Sequence, residues 1–296
     1  LEAARRATEG LAEARRLQEE GDPDAARNRI AALVSELLST PGSGESEAVA
    51  QACWELGVPA SEAGDLASSR AAWAAARDHR ERTLPPGRPD LLAARQGLAV
   101  TMWQQGDLAG ARALFESVLA GFERTLPEGH PDLLMARTNL AATMNEMGDL
   151  LGGRALFEAV LAGYERTLTA DHPDLLAARL NLAATMLDMG DLPGARALFE
   201  SVLAGYVRTL PADHPDLLAA RGNLAITMAE MGDLPGARAL EEAVLAARQR
   251  TLPAGHPDLL AARGNLAATM RQQGDLPGAR ALQEAALAGF ERTLPE

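Results

Sequence analysis

The sequence predicts an all-α, right-handed superhelical solenoid of about seven antiparallel helix hairpins. Three observations carry that expectation. The tetrapeptide His-Pro-Asp-Leu begins at His130, His172, His214 and His256, always 42 residues apart. A Gly-Asp pair keeps the same spacing at Gly64, Gly106, Gly148, Gly190, Gly232 and Gly274. Hydrophobic residues form 47 % of the 296 but aromatics only 3 %, so the core must be built from Ala, Leu, Val and Met, which suit close helix packing.

Taken in order, the chain divides into three stretches of one continuous solenoid. Residues 1–44 form a divergent N-terminal hairpin, whose Gly21-Asp22 falls one residue out of phase. Residues 45–88 form a second divergent repeat. Residues 89–296 hold five regular repeats, the first opened by Arg88-Pro89-Asp90-Leu91 in place of the His form. First helices are expected to begin near Glu2, Glu45, Pro89, Pro131, Pro173, Pro215 and Pro257. Pro41-Gly42-Ser43-Gly44 is the one flexible break, an expected hinge for the first hairpin.

The sixth hairpin illustrates the grammar of a unit. Pro215 opens the first helix, where its missing N–H costs nothing, and Asp216 favours the positive helix end. Leu218, Leu224, Ala225 and Met228 then recur at helical spacing up to Met231. Gly232 supplies a left-handed helix stop and Asp233 caps the next helix. That helix carries Leu234, Ala237, Leu240, Val244 and Leu245 on one stripe and ends near Thr251. So short a gap allows only an antiparallel hairpin, which must stack on its neighbours to bury its apolar stripe.

The formal charge is −13, and all 28 basic residues are Arg. Such a surface repels phosphate backbones and anionic lipid, so nucleic acid and membranes are poor partners and a basic protein partner is favoured. With no signal peptide and no apolar run of membrane-spanning length, the chain reads as cytoplasmic. It begins at Leu1 and stops in mid-pattern at Glu296, which suggests an excerpt of something longer or a trimmed product.

Catalytic and metal chemistry find no foothold. Histidines one repeat apart lie roughly 20 Å from each other, given two helices per repeat at about 8–10 Å. Zinc needs its ligands about 2 Å from one ion. Each His is read instead as a linker residue held extended by the Pro after it. Cys53, the single cysteine, has no His at motif spacing and is read as a structural thiol beside Trp54. No phosphate loop, nucleophile elbow or carboxylate pair appears, so the chain is expected to be no enzyme and to need no cofactor.

Asn139, Leu140 and Ala141, then Met144, Gly148, Asp149 and Leu150, with Phe157 closing the unit, resemble the tetratricopeptide repeat; Gly153 stands where that family has Ala. The 42-residue period and the His-Pro-Asp linker are most similar to the kinesin-light-chain type. Similar arrays occur in large bacterial regulatory proteins. The resemblance covers residues 45–296 strongly and 1–44 weakly. It implies protein docking and leaves the pathway open.

Positions that repeat in every unit serve the stack, and positions that vary are free to serve a ligand. The variable positions form three rows on the first helices. They are Gln96, Thr138, Leu180, Gly222, Gly264; then Val100, Ala142, Ala184, Ile226, Ala268; then Trp103, Asn145, Leu187, Ala229, Arg271. The resemblance implies that this face lines a concave, peptide-binding groove. It also implies that the ladder Asn139, Asn181, Asn223 and Asn265 offers amides to a peptide backbone; the alternative is an internal ladder tied to neighbouring helices. Trp103 is the leading anchor candidate, or else it covers a gap against the second hairpin.

Two Arg series (Arg95, Arg137, Arg179, Arg221, Arg263 and Arg112, Arg154, Arg196, Arg238, Arg280) are expected to bind the repeated Asp and fix stacking, with an anion-binding stripe as the alternative. The series Phe115, Phe157, Phe199 turns into Glu241 and Gln283, and Phe122, Tyr164, Tyr206 into Arg248 before Phe290. Glu241 and Arg248 are expected to form a solvated pair; a polar contact site or a hinge is the alternative. The favoured function is a non-catalytic scaffold that docks a peptide or protein segment. Two others remain: a regulatory domain of a bacterial signalling NTPase or caspase-like protease, and self-assembly through the uncapped last helix, residues 276–293.

Overall fold

The computed structural model describes residues 2–39, 42 and 46–291. Among them are fourteen helices and no strand. They are α1 (Glu2–Glu19), α2 (Pro23–Ser39), α3 (Glu47–Glu62), α4 (Leu66–Thr83), α5 (Pro89–Gln104), α6 (Leu108–Thr125) and α7 (Pro131–Glu146). There follow α8 (Leu150–Glu165), α9 (Pro173–Asp188), α10 (Leu192–Thr209), α11 (Pro215–Glu230), α12 (Leu234–Thr251), α13 (Pro257–Gln272) and α14 (Leu276–Glu291). The fold is an all-α repeat of helix hairpins, in two compact units, Leu1–Leu156 and Phe157–Glu296, with the division falling inside α8.

Every regular first helix starts at the expected proline. The second hairpin starts slightly later than expected, at Glu47, because Ser46 takes the capping position and accepts from the Val49 N–H at 3.4 Å. Most of the expected hinge, and Glu45, lie outside the described residues. The histidines do more than link. Nδ1 of His130, His172, His214 and His256 accepts from the backbone N–H two residues on, at 3.2 Å each, so the histidine is itself the helix cap. Met231 ends the α11 pattern exposed rather than buried.

The Gly-Asp pair works as one device. Gly232 has φ +85°, which reverses the chain, and the Asp233 carboxylate accepts from the Gly236 N–H at 3.1 Å. The same carboxylates tie hairpins together. Arg70 reaches Asp107 at 3.0 Å and Arg112 reaches Asp149 at 3.3 Å in the first unit. In the second, Arg196 reaches Asp233 at 3.7 Å and Arg238 reaches Asp275 at 3.2 Å. First-helix arginines pair instead with the preceding second helix, Arg95 with Glu81 and Arg137 with Glu123. Arg221 and Arg263 meet Val207 and Gln249 at the equivalent places, and turn to the Ala212 and Ala254 carbonyls. Stacking, not an anion stripe, accounts for these contacts.

Candidate functional site

In the first unit two adjoining hollows, of about 610 and 430 Å³, share Trp54, Val58, Glu62 and Trp73 as walls. One extends to α1 through Thr8, Leu11 and Arg15. The other extends to α5 through Gln96, Gly97, Val100 and Thr101. The two indoles meet edge to face, 5.0 Å between centroids at 84°. Trp73 is buried, and its ring lies on the backbones of Gly57 in α3 and Gly97 in α5, where a Cβ would collide with it. The Arg80 guanidinium stacks 4.0 Å over Trp54 and donates to the Asp90 carbonyl at 3.1 Å. Burial lowers its pKa, and Asp90 and Glu47 oppose that fall.

Sequence reasoning missed Trp54, Val58 and Trp73, though a signal was present. One period before Gln96, Val100 and Trp103 stand Trp54, Val58 and Ser61, and all three line this hollow. The second repeat has lost the Pro-Asp linker that marks the others, so its place in these rows shows only when it is set 42 residues before the first regular repeat. By the same step Trp73 is the first member of the Phe115 series.

The second unit has the equivalent hollow, of about 190 Å³, lined among others by Gly222, Asn223, Ile226, Glu241, Arg248 and Asn265. Counted in whole repeats, Gly222 stands where Trp54 does, Glu241 where Trp73 does and Arg248 where Arg80 does. Both rings are gone from this place. Glu241 is only 5 % exposed, so the expected solvated pair with Arg248 is corrected: the position faces the interior at Trp73, Phe115, Phe157, Phe199 and Glu241 alike, and only Gln283 in the last hairpin is exposed. Arg248 donates instead to the Asp258 carbonyl at 2.7 Å. Burial raises the Glu241 pKa, and a hydrogen bond from Thr269 counters part of the rise. Its Oε2 has no hydrogen-bond partner among the described residues.

Of the residues the sequence singled out, Gln96 and Val100 come together in the first unit, and Gly222, Asn223, Ile226 and Asn265 in the second. Thr138, Asn139, Leu180 and Asn181 lie half-buried on α7 and α9, outside these three hollows; Thr138 donates to the Leu134 carbonyl. Trp103, 36 % exposed, Asn145, Leu187 and Arg271 sit at the C-terminal ends of their helices and line none of the three.

No group of three metal-binding side chains occurs among the described residues, and none of their helices is long and apolar enough to cross a membrane. A tetratricopeptide-repeat family model matches residues 132–208, 182–250 and 216–292, and a second of the same description matches 91–132. No curated protein matches the chain. A solved structure from P. anserina, described as a kinesin light chain with nearly identical TPR-like repeats, is 31 % identical with a TM-score of 0.64, covering 72 % of this chain and 99 % of that one. BtubC (BKLC) of P. vanneervenii is 18 % identical with a TM-score of 0.64, covering 78 % and 94 %. A STAND signal-transduction ATPase of Pyrococcus horikoshii with a tetratricopeptide repeat sensor reaches 0.71 at 11 % identity, covering 95 % of this chain and 41 % of that one. The last two share the fold alone.

Proposed function

Because this chain belongs to the tetratricopeptide-repeat family, in its kinesin-light-chain-like form, we propose that it is a scaffold whose concave first-helix face docks an extended segment of a partner protein. Interaction with proteins is the general role of the fold, and nothing in the matches points to a catalytic family. The finer reading, a groove and its residues, is ours. One observation carries it: members of two of the rows that vary between repeats line hollows, Gln96 and Val100 in the first unit and Gly222 and Ile226 in the second, although stacking does not need them to vary. In the first unit Trp54, Val58, Gln96 and Val100 offer an apolar bed with amide and carboxylate edges. Asn139 in the first unit and Asn181 in the second each hold a half-buried amide on a first helix. A cytoplasmic setting and a basic partner agree with the acidic charge.

A peptide-display selection against the whole chain tests this reading. Recovered peptides should bind Val100→Glu at least tenfold more weakly than wild type. Leu151→Glu, a change at a 74 % exposed residue outside both hollows, should leave them unaffected. Equal binding to all three proteins would remove the groove from the proposal. A second reading has its own observation: Leu276 and Leu287 of α14 are 61 % and 59 % exposed, an apolar surface that favours self-association. A monomeric mass at high concentration, unchanged by Leu287→Glu, would refute it.

A further inference from the structure

We propose that the hollow at Glu241 is a receptor for one positively charged side chain, lysine or arginine, of the docked partner. The inference rests on the docking reading above and names the chemistry of one of its contacts. Two independent observations point to a ligand here.

The first is an unmet demand. A carboxylate 95 % withdrawn from solvent, with one oxygen lacking any hydrogen-bond partner among the described residues, is costly to hold. Thr269 is the one neighbour that favours its charged form. Even so, one acceptor oxygen is left over. Arg248, the one cation on the wall, is held by the Asp258 carbonyl and forms no ion pair with Glu241.

The second is kept space. Gly222 sits inside α11, where glycine weakens a helix by about 1 kcal/mol relative to Ala. Nothing lies within 4 Å of where its Cβ would be. Packing therefore does not demand glycine here, in contrast to Gly57 and Gly97 under the Trp73 ring. Leu180 occupies the same place one repeat earlier, so the fold accepts a large side chain there.

The walls match the occupant. Leu218, Ile226 and Val244 provide an apolar sleeve, and Glu241 the acid, while Asn223 and Asn265 add amide oxygens. Lysine and arginine are the side chains that pair an aliphatic stem with a cationic head.

The test titrates the full chain, labelled with ¹⁵N only at asparagine, with acetyl-arginine methylamide. Acetyl-citrulline methylamide, a neutral shape mimic, is the control. Six asparagines give a spectrum simple enough to follow Asn223 and Asn265 singly. The arginine probe should shift both, citrulline should not, and Glu241→Gln should weaken the response at least fivefold. Gly222→Leu should block it while leaving the fold intact by circular dichroism. Equal response to citrulline, an arginine response that survives Glu241→Gln, or no response to the arginine probe would each overturn the proposal. If that happens while displayed peptides still lose binding to Val100→Glu, the cation receptor fails and groove docking stands.

Discussion

Glu241 in α12 stands four repeats after Trp73, and both side chains are buried, 5 % and 6 % exposed. A ring-to-acid exchange has thus placed a carboxyl inside the stack, with its Oε2 left without a hydrogen-bond partner among the described residues.

That exchange predicts an unusual pH dependence. The folded-state pKa of Glu241 is raised above its unfolded value by burial. Below the ordinary carboxylate range both states are protonated and the residue costs nothing. As pH rises through the unfolded and then the folded pKa, the folded state holds its proton longer and stability falls. Glu241→Gln should therefore raise the melting temperature near pH 7, with the advantage shrinking towards about pH 4. Thermal melts of both proteins across that range check it, and a constant difference at every pH would contradict the assignment.

Glycine-to-alanine changes should differ in sign by position. Gly222→Ala should stabilise by about 0.5–1 kcal/mol, since its new methyl group meets nothing. Gly57→Ala and Gly97→Ala drive a methyl into the buried Trp73 ring and should destabilise by about 1–3 kcal/mol. Urea denaturation of the three variants gives the comparison directly.

Capping should outweigh ion pairing at Asp107. Its carboxylate accepts from the Gly110 N–H at 3.1 Å and pairs with Arg70 at 3.0 Å, both side chains being well exposed. Asp107→Ala should cost about 1 kcal/mol through the lost cap. Arg70→Ala should cost less than about 1 kcal/mol. Equal losses would mean that the ion pair carries the contact.

Cys53 should resist thiol reagents. It is fully buried in α3, and burial pushes its thiol up to about 11. Labelling by a chromogenic disulfide near pH 8 should be negligible in the native protein and complete in denaturant. Rapid native labelling would mean that the second hairpin opens.

The repeat clock made much of this legible. Pro89, Pro131, Pro173, Pro215 and Pro257 start their helices where the spacing puts them, because proline and its following Asp suit only a first turn. Periodic Gly-Asp pairs read equally well, since positive φ and capping are local chemistry. Glu241 read poorly. Whether a charge is solvated depends on which helices cover it, and no pattern within α12 contains that information. Trp54 and Trp73 were overlooked for a different reason: they lie in a repeat whose linker had drifted, so the comparison that exposed Gln96 and Val100 stopped short of them.

Arg112 holds the carboxylate that starts the next helix, α8, just as Arg238 holds the one that starts α14. A single oxygen pair thereby ends one hairpin's independence and begins the next. Within a unit, when one hairpin frays its neighbour loses a grip on its own first turn. Each such pair is worth less than about 1 kcal/mol, so the loss eases the neighbour's opening only slightly. Inside one unit, a partner that holds a hairpin in place also steadies the cap of the hairpin after it.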